Sequence, residues 1–454
     1  MAAFTLGMAG VVFSFGIDQA LAVVQHWSYL SCGLSVCGFA VTGGWWLFRR
    51  LRELRGGSWR EWGGGVLLAV LISLLIQQAT YPRGLKIFND EVLLQSTAQS
   101  FYQHRENAVL CAYEKPVLRH NRLEGNPVSL IDKRPVLFPF LVSLLHDLLG
   151  FNPANSLRLN MLLTPLLLIS LFFAGWRTGG RQAGFFSLLL CGTLPLLAHC
   201  ATGGGYDLLN VLLVTWLFLV AADFAERGES LSGVVMVFTS LLLVNTRYES
   251  WLYIASSVVI LGAVQWRRPQ RISPPWSLLS VPFLLFVPAM LLWVHRYFGR
   301  SFDQSAQLDD AASFSWRFLV AHTRTLMEFL FAWNLRDMNS LPVTLLGLAG
   351  VCLVGRMAWR QRAEGWEAGA FRFRGWRLPA MVIAGVVLCN VLVFLSFGWG
   401  VANDYLASRV LLPFCLALAL LGGCACCRSW YRRNNYGRGK VSPVAKSCRE
   451  AAPA

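Results

Sequence analysis

The sequence predicts an all-α, polytopic integral membrane protein. Three observations carry this. Of the 454 residues, 55% are hydrophobic and only 14% are charged, against about 25% charged in a soluble domain. Apolar runs of roughly 16–21 residues recur along the whole length, and each is long enough to cross a ~30 Å hydrocarbon core as a helix. The runs are continuous rather than alternating, which excludes a transmembrane barrel.

Met1 to Phe15 has no basic start, so it reads as the beginning of a first membrane helix rather than a cleaved signal. Phe4 to Val24 and Ser28 to Phe48 are two spans, followed by a loop carrying Arg49, Arg50, Arg52, Arg55 and Arg60. Gly65 to Thr80 is the third span. Residues 81–132 are polar and irregular, apart from an amphipathic piece over Asp90 to Gln103. Arg134 to Gly150 is apolar but short and is interrupted by Pro135 and Pro139. Further spans lie at 156–176, 182–199, 207–224, 231–246, 250–265, 277–296, 341–358, 378–398 and 409–426. A second long polar loop covers 297–340, and the tail after Cys427 has the composition of a disordered segment. The expected total is about 12 transmembrane helices plus one re-entrant or interfacial segment, 134–150. The absence of an internal repeat counts against an inverted-repeat transporter.

Charge orients the chain. The loops 49–61, 177–181, 223–229, 267–271 and 356–377, with the tail from 428, hold 24 of the 40 Lys and Arg but only eight of the 24 acids. They are therefore cytoplasmic. Residues 81–154, 200–206, 247–249, 297–340 and 399–408 then fall on the outer face, and 134–150 must dip in and return or lie along that face. The net charge of +16 reflects this sidedness and implies no nucleic-acid partner. The cysteines lie mostly inside apolar runs and read as small hydrophobes. Cys424, Cys426 and Cys427, at a membrane edge, could instead carry acyl chains.

Ionisable residues at the outer face are the candidates for chemistry. Asn89 is a good N-cap and places Asp90 and Glu91 in a first helical turn. The pair could simply offset the helix dipole, or it could accept a hydrogen bond and then a proton from an incoming hydroxyl. Lys133 and Arg134 stand before a proline-broken apolar segment and Arg158 opens the next span. These cations either snorkel to the interface or hold a phosphate. Asp207 follows Gly203-Gly204-Gly205-Tyr206, Arg247 and Glu249 share a tight turn, and Arg409 begins a late helix. An outer cavity with several acids and cations suits a phosphorylated lipid donor and a hydroxyl acceptor. The single histidines His26, His146, His199 and His295 read as structural, and no HExxH, Walker or GxSxG motif occurs.

The order of these features resembles the GT-C glycosyltransferases, closest to the protein O-mannosyltransferase and aminoarabinose lipid A transferase type. A span is followed by Asp90-Glu91 opening a loop helix, then by Lys133-Arg134-Pro135-Val136-Leu137, then by Arg158-Leu159 in a span. The similarity covers roughly residues 64–265 and returns at Ser408-Arg409-Val410-Leu411-Leu412-Pro413, which is similar to that family's Arg-Tyr-Leu-Leu-Pro. Val136 stands where the family has a second proline, and the large soluble C-terminal domain of many relatives is missing.

The resemblance implies an inverting transfer of a hexosyl or pentosyl group from a polyprenyl-phosphate sugar donor to a glycan, lipid or protein acceptor. The setting would be the extracytoplasmic face of a bacterial inner membrane. Asp90 would be the catalytic carboxylate with Glu91 beside it, and Asp207 the second acid. Lys133 or Arg134 would hold the lipid phosphate, aided by Arg158, Arg247, Glu249 and Arg409, or by a divalent ion such as Mg or Mn. On this reading residues 1–63 are two extra N-terminal helices with a basic loop, 64–426 the catalytic membrane domain, and 427–454 a cytoplasmic tail. The alternatives are a transporter or flippase, and a polymerase or ligase, of lipid-linked saccharides.

Overall fold

A helix satisfies all its backbone hydrogen bonds internally, which suits a chain this apolar to a bilayer. The computed structural model describes residues 17–54, 59–109, 113–119, 122–127, 131, 134–267, 285–292, 315–333, 338–363, 375–398 and 400–427. Its elements are α1 Ile17–Leu54, α2 Trp59–Thr80, α3 Phe88–His104, a hairpin of β1 Tyr113–Arg119 and β2 Arg122–Pro127, α4 Leu137–Leu149, α5 Asn155–Gly179, α6 Arg181–Gly192, α7 Pro195–Ala201, α8 Asp207–Arg227 and α9 Ser230–Val244. After a 3-10 turn, Tyr248–Trp251, come α10 Leu252–Arg267, α11 Trp316–Leu330, α12 Leu341–Ala363 and α13 Arg377–Leu395. The short α14 Tyr405–Ser408 and the 3-10 turn Arg409–Leu411 then lead into α15 Leu412–Ala425.

The chain is an integral membrane protein built on α8. This helix is apolar on every side and buried along most of its length, with α5, α9, α10, α13 and α15 packed around it. A helix hydrophobic all round has to be a core helix. By contrast α1 and α2 expose Leu30, Leu34, Val41, Leu67, Leu68 and Leu75. A continuous exposed aliphatic band of this kind fits hydrocarbon, not water. The helices α12 and α15 approach closely through glycine: a Cβ on Gly350 would stand 2.4 Å from the Leu421 carbonyl oxygen, as expected of small-residue packing in membranes.

Several expectations change. Among the described residues six helices are long and apolar enough to cross a membrane, or seven if the bent pair α6–α7 is one span, so about twelve crossings are not reached. The helices α9 and α10 have 15 and 16 residues, or about 22–24 Å, and the expected span 277–296 lies mostly outside the described residues. The break expected between two N-terminal spans is absent. Gln25-His26-Trp27 continues α1, because it contains neither proline nor glycine and nothing else there interrupts the 38-residue helix. The boundary at 63 falls inside α2, and α1 shares the main core through Cys32 and Trp46. The loop 81–132, read as irregular apart from its helix, contains the antiparallel hairpin, with Leu118 paired to Leu123. The helix α4 is too short to cross. Its start receives the Asn245 carbonyl on the Leu137 N–H at 2.9 Å. Near its end Asp147 takes both Arg105 guanidinium nitrogens at 2.8 and 2.9 Å. Beneath α4, and between α1 and α5, lies an apolar cleft of about 970 Å³, lined at its top by Leu137 and Leu141 and at its base by Arg50 and Asp223.

The two groups of charged loops gather at opposite ends. At one end Asp223, 2% exposed, accepts from Trp46 Nε1 at 2.8 Å, Arg50 Nη2 at 2.7 Å and Ser232 Oγ at 2.6 Å. Around it Arg177 pairs with Glu226 and Arg227 with Glu53. These are residues of the basic loops. The other end holds the acids and cations of the opposite face. Asp207 and Asp223 lie on the same helix, about 24 Å apart along its axis.

Asp223 ties α1, α8 and α9 together. Asp223→Ala would leave Arg50 partly buried without its main partner and is expected to cost about 3 kcal/mol. Thermal unfolding of the purified protein measures this, and an unchanged midpoint would show that the hub is dispensable.

Candidate active site

Asp90 and Glu91 occupy the first turn of α3, as expected, but the helix begins differently. Ile87 is the cap residue and Phe88 the first helical residue, so Asn89 is not the N-cap. Ile87 makes no side-chain capping bond; Glu91 Oε2 accepts the backbone N–H of Lys86, the residue before the cap, at 2.9 Å. The bond ties the chain that enters the helix back onto its first turn.

Neighbouring helix residues face different directions, and here they face different chemistry. Glu91 is 2% exposed and lies against the glycine run. A Cβ on Gly203 would stand 2.8 Å from Lys86 Cγ and 3.2 Å from Glu91 Oε1, and one on Gly204 would stand 2.9 Å from Ser156 Oγ. Only glycine lets this backbone approach so closely. The run is held from below by Asn160, whose Nδ2 donates to the carbonyls of Gly203 at 2.8 Å and Gly205 at 2.9 Å.

Asp90 faces cations instead. Its Oδ1 accepts from Arg134 Nη2 at 2.5 Å, and its Oδ2 is paired with Arg409 Nη2. Arg409 also reaches Asp207, with Nη1 3.5 Å from Oδ2. Asp207 Oδ1 is paired with Arg247 Nη1, and Arg247 Nε lies 3.1 Å from Glu249 Oε2. The result is one alternating chain: Arg134, Asp90, Arg409, Asp207, Arg247, Glu249. Six residues from five separate segments converge, although nothing in their spacing required it. Arg247 and Arg409 are 6% and 9% exposed, so neither is a snorkelling surface cation.

Arg158 is not in this constellation. It is exposed, and its Nη1 donates to Asn155 Oδ1 at 2.8 Å. A first-turn residue on the outside of α5 points away from the bundle axis. Lys133 lies outside the described residues. Three further residues belong to the site. Besides Asn160, Tyr206 carries Arg247 and Arg409 over its ring at 5.3 and 5.8 Å, a cation–π contact with both bridging cations. Asn210, one turn after Asp207, accepts from Thr246 Oγ1 at 3.0 Å and Ser250 Oγ at 2.6 Å, which fixes the turn that delivers Arg247. The only sequence signal for Asn160 and Asn210 was a carboxamide inside an otherwise apolar span, where it must find partners.

The donor set does not suit a metal ion. Each oxygen of Asp90 and of Asp207 is already engaged by a guanidinium, and among the described residues no three His, Cys, Asp or Glu side chains converge.

Burial works to raise the Asp90 pKa, but the charges and hydrogen bonds of Arg409 and Arg134 outweigh it and hold the carboxyl below its ordinary value. Glu91 moves the other way. Burial raises it, and the hydrogen bonds from the backbone N–H groups of Lys86, Gly204 and Ile87 offset that only in part.

No family model matches this sequence, and no curated protein sequence matches it either. Solved structures do. ArnT from Cupriavidus metallidurans bound to undecaprenyl phosphate superposes with a TM-score of 0.49 at 13% identity, over 85% of this chain and 64% of that one. Its apo state gives 0.46 at 15% identity, over 80% and 59%. The Archaeoglobus fulgidus oligosaccharyltransferase tethered with an acceptor peptide gives 0.44 at 10%, over 81% and 50%. These are GT-C enzymes, the class the sequence resembles. The chain spans less than two thirds of each, and the chemistry rests on its own residues.

The opposite pKa shifts have opposite consequences. Asp90, lowered from 3.8, contributes stability that is present above pH 3.8 and lost as pH falls through its folded value. Glu91, raised from 4.5, binds more protons folded than unfolded above pH 4.5, so its contribution declines as pH rises from there. Glu91→Gln is expected to remove that decline. Thermal midpoints of both proteins from pH 4.5 to neutrality test it, and parallel profiles would refute the assignment.

Proposed function

We propose that the chain is a glycosyltransferase that moves a sugar from a polyprenyl-phosphate donor to an acceptor hydroxyl at the Asp90 end of the bundle. The observation that carries this is the Arg409 bridge. It brings the two candidate acids, Asp90 and Asp207, onto one guanidinium, with Arg134 and Arg247 on their far sides. A second feature suits a lipid donor: the apolar cleft under α4 begins at Leu137, three residues after Arg134.

The resting array is closed, since every carboxylate oxygen of Asp90 and Asp207 has a cation. A donor phosphate competes for the same guanidiniums. Arg134 and Arg409 hold phosphate well because their planar donors match its oxygens in pairs. As they turn to the phosphate, Asp90 loses the charges that keep its pKa low, and its burial then favours the protonated form. It becomes a better base at the moment the donor is in place. The acceptor atom attacks the anomeric carbon on the face opposite the phosphate, which makes the transfer inverting. The anomeric C–O bond breaks with its electron pair going to the phosphate oxygen, and the acceptor proton passes to Asp90. The arginines stabilise the charge that develops on the leaving phosphate. Lys133, which the resemblance also assigns to the phosphate, would add to them. On this reading the cations fill the place of a divalent ion, and the sugar is hexosyl or pentosyl. A transporter or flippase would use ionisable groups near mid-depth, whereas the charged residues described here gather at the two ends.

Transfer in lipid nanodiscs from a polyprenyl-phosphate sugar tests the mechanism. Asp90→Asn is expected to lower the rate per folded molecule by about 10²–10⁴-fold, and cells lacking the chain are expected to accumulate the unused lipid-linked sugar. Full activity of Asp90→Asn would sink the mechanism. In the same assay a chelator is expected to leave the rate unchanged. Loss of activity restored by Mg or Mn would reject the arginine-only account of the phosphate.

A further inference from the structure

Outside the site, α11, at 15 residues too short to cross a membrane, pairs a packed face with an apolar face left bare. Phe329 and Leu330, with Leu326 and His322, are buried against the neighbouring elements. Trp316, Val320, Met327 and Phe331 follow one another at spacings of four, seven and four, so they form a single stripe. All four are exposed, Trp316 and Val320 by about 80%. Trp333, just beyond the helix, is exposed as well. Arg317, Arg324 and Glu328 occupy the flank on the far side of the stripe, with the Arg324–Glu328 pair 3.0 Å apart.

The position of the helix is set at both ends. The Ser315 N–H donates to the carbonyl of Ser396, at the end of α13, at 2.9 Å. Phe329 and Leu330 give their carbonyls to Asn339 Nδ2, just before α12, at 3.3 and 3.2 Å. In between, Thr325 Oγ1 accepts the Ala402 N–H at 3.2 Å, and Glu328 accepts from Asn403 at 2.7 Å. The helix therefore runs about 22 Å from the end of one membrane helix to the start of another, across the end of the bundle rather than along it.

Three observations identify what covers the bare stripe. The outward face of α13 exposes Leu388, Leu392 and Val393, and this lipid-facing surface ends beside Ser315, so the stripe continues it. Tryptophans mark the two ends of the stripe, and an aromatic ring with a polar N–H favours the headgroup level. Two arginines on the flank match anionic headgroups. We propose that α11 is an in-plane interfacial anchor: Trp316, Val320, Met327 and Phe331 are buried at the headgroup–acyl boundary of the leaflet at the Asp90 end. Its other face holds the 400–403 turn, which leads directly into the segment carrying Arg409. This membrane contact is independent of the reaction proposed above.

The test places photoreactive benzoylphenylalanine at one position at a time in the full chain, in nanodiscs of phosphatidylcholine and phosphatidylglycerol. Val320 reports on the stripe, Ala321 on the opposite flank and Leu388 on the exposed aliphatic face of α13. Lipid adducts, read by peptide mass spectrometry, are expected at 320 and 388 and several-fold fewer at 321. If position 388 forms adducts, the proposal is overturned by none at 320, by equal yields at 320 and 321, or by a cross-link from 320 to a second copy of the chain. A second arm reads the strut. Val320→Glu is expected to speed hydrogen exchange over residues 400–408 several-fold in nanodiscs, and unchanged exchange there would remove the link to the Arg409 segment.

Discussion

A buried guanidinium shared by two carboxylates is the constraint on which the rest of the site depends. Arg409 is 9% exposed and touches both Asp90 and Asp207. A cation taken out of water is tolerated only where opposite charges and hydrogen bonds replace its hydration. The three segments that meet there, the start of α3, the start of α8 and the turn after α14, are therefore placed by one another. Arg247 extends the same logic to a fourth segment. The uncharged partners keep the array in register: Asn160 under the glycine run, Asn210 under the Arg247 turn, and Tyr206 against both bridging cations. Each is the sort of polar or aromatic group that a membrane bundle holds inside only when its partners are fixed.

The two ends of α8 use similar residues for different purposes, and their partners explain the difference. Asp223 is held by an indole N–H and a hydroxyl as well as by arginine. Around it Glu53, Glu226 and Glu229 pair with Arg50, Arg177 and Arg227. Asp90 is paired by guanidiniums from two separate segments, and those are groups a phosphate can take over. The Asp223 cluster acts as a stitch across three helices. The Asp90 cluster can exchange partners.

Much of this was legible in the sequence, for identifiable reasons. Asp90, Arg134, Asp207, Arg247, Glu249 and Arg409 could be assigned to one face from loop charge alone, because net sidedness survives errors in individual spans. Their meeting on a single chain of ion pairs could not be read, since it depends on side-chain reach across five segments. Arg158 shows the limit from the other side: its sequence position matched the others, but its direction around α5 did not. The continuous α1 escaped notice because hydropathy alone cannot separate two spans from one long helix whose end stands clear of the hydrocarbon. The hairpin was missed because Tyr113 to Pro127 mixes prolines and charges with few alternating apolar residues. The Asn89 cap was a sound propensity, but the helix begins earlier, with Ile87 as its cap residue.

Asp90 and Glu91 look interchangeable in a list of residues, and their surroundings separate them. Glu91 is enclosed by backbone N–H groups and glycine, so it shapes the loop and has little room to meet a substrate. Asp90 is bound by side chains alone, at the junction of two arginines from different segments. Its low pKa would make it a poor base if that junction were permanent. The same ion pairs that depress it, however, are the groups a phosphate would recruit. An acid held in this way is restrained while the site is empty and released when the anion arrives, so binding and activation become one electrostatic exchange. Glu91 cannot act in this way, because its main partners are main-chain donors that no ligand displaces. The choice between the two acids therefore rests on which bonds can be exchanged, more than on which carboxylate is nearer to a cavity.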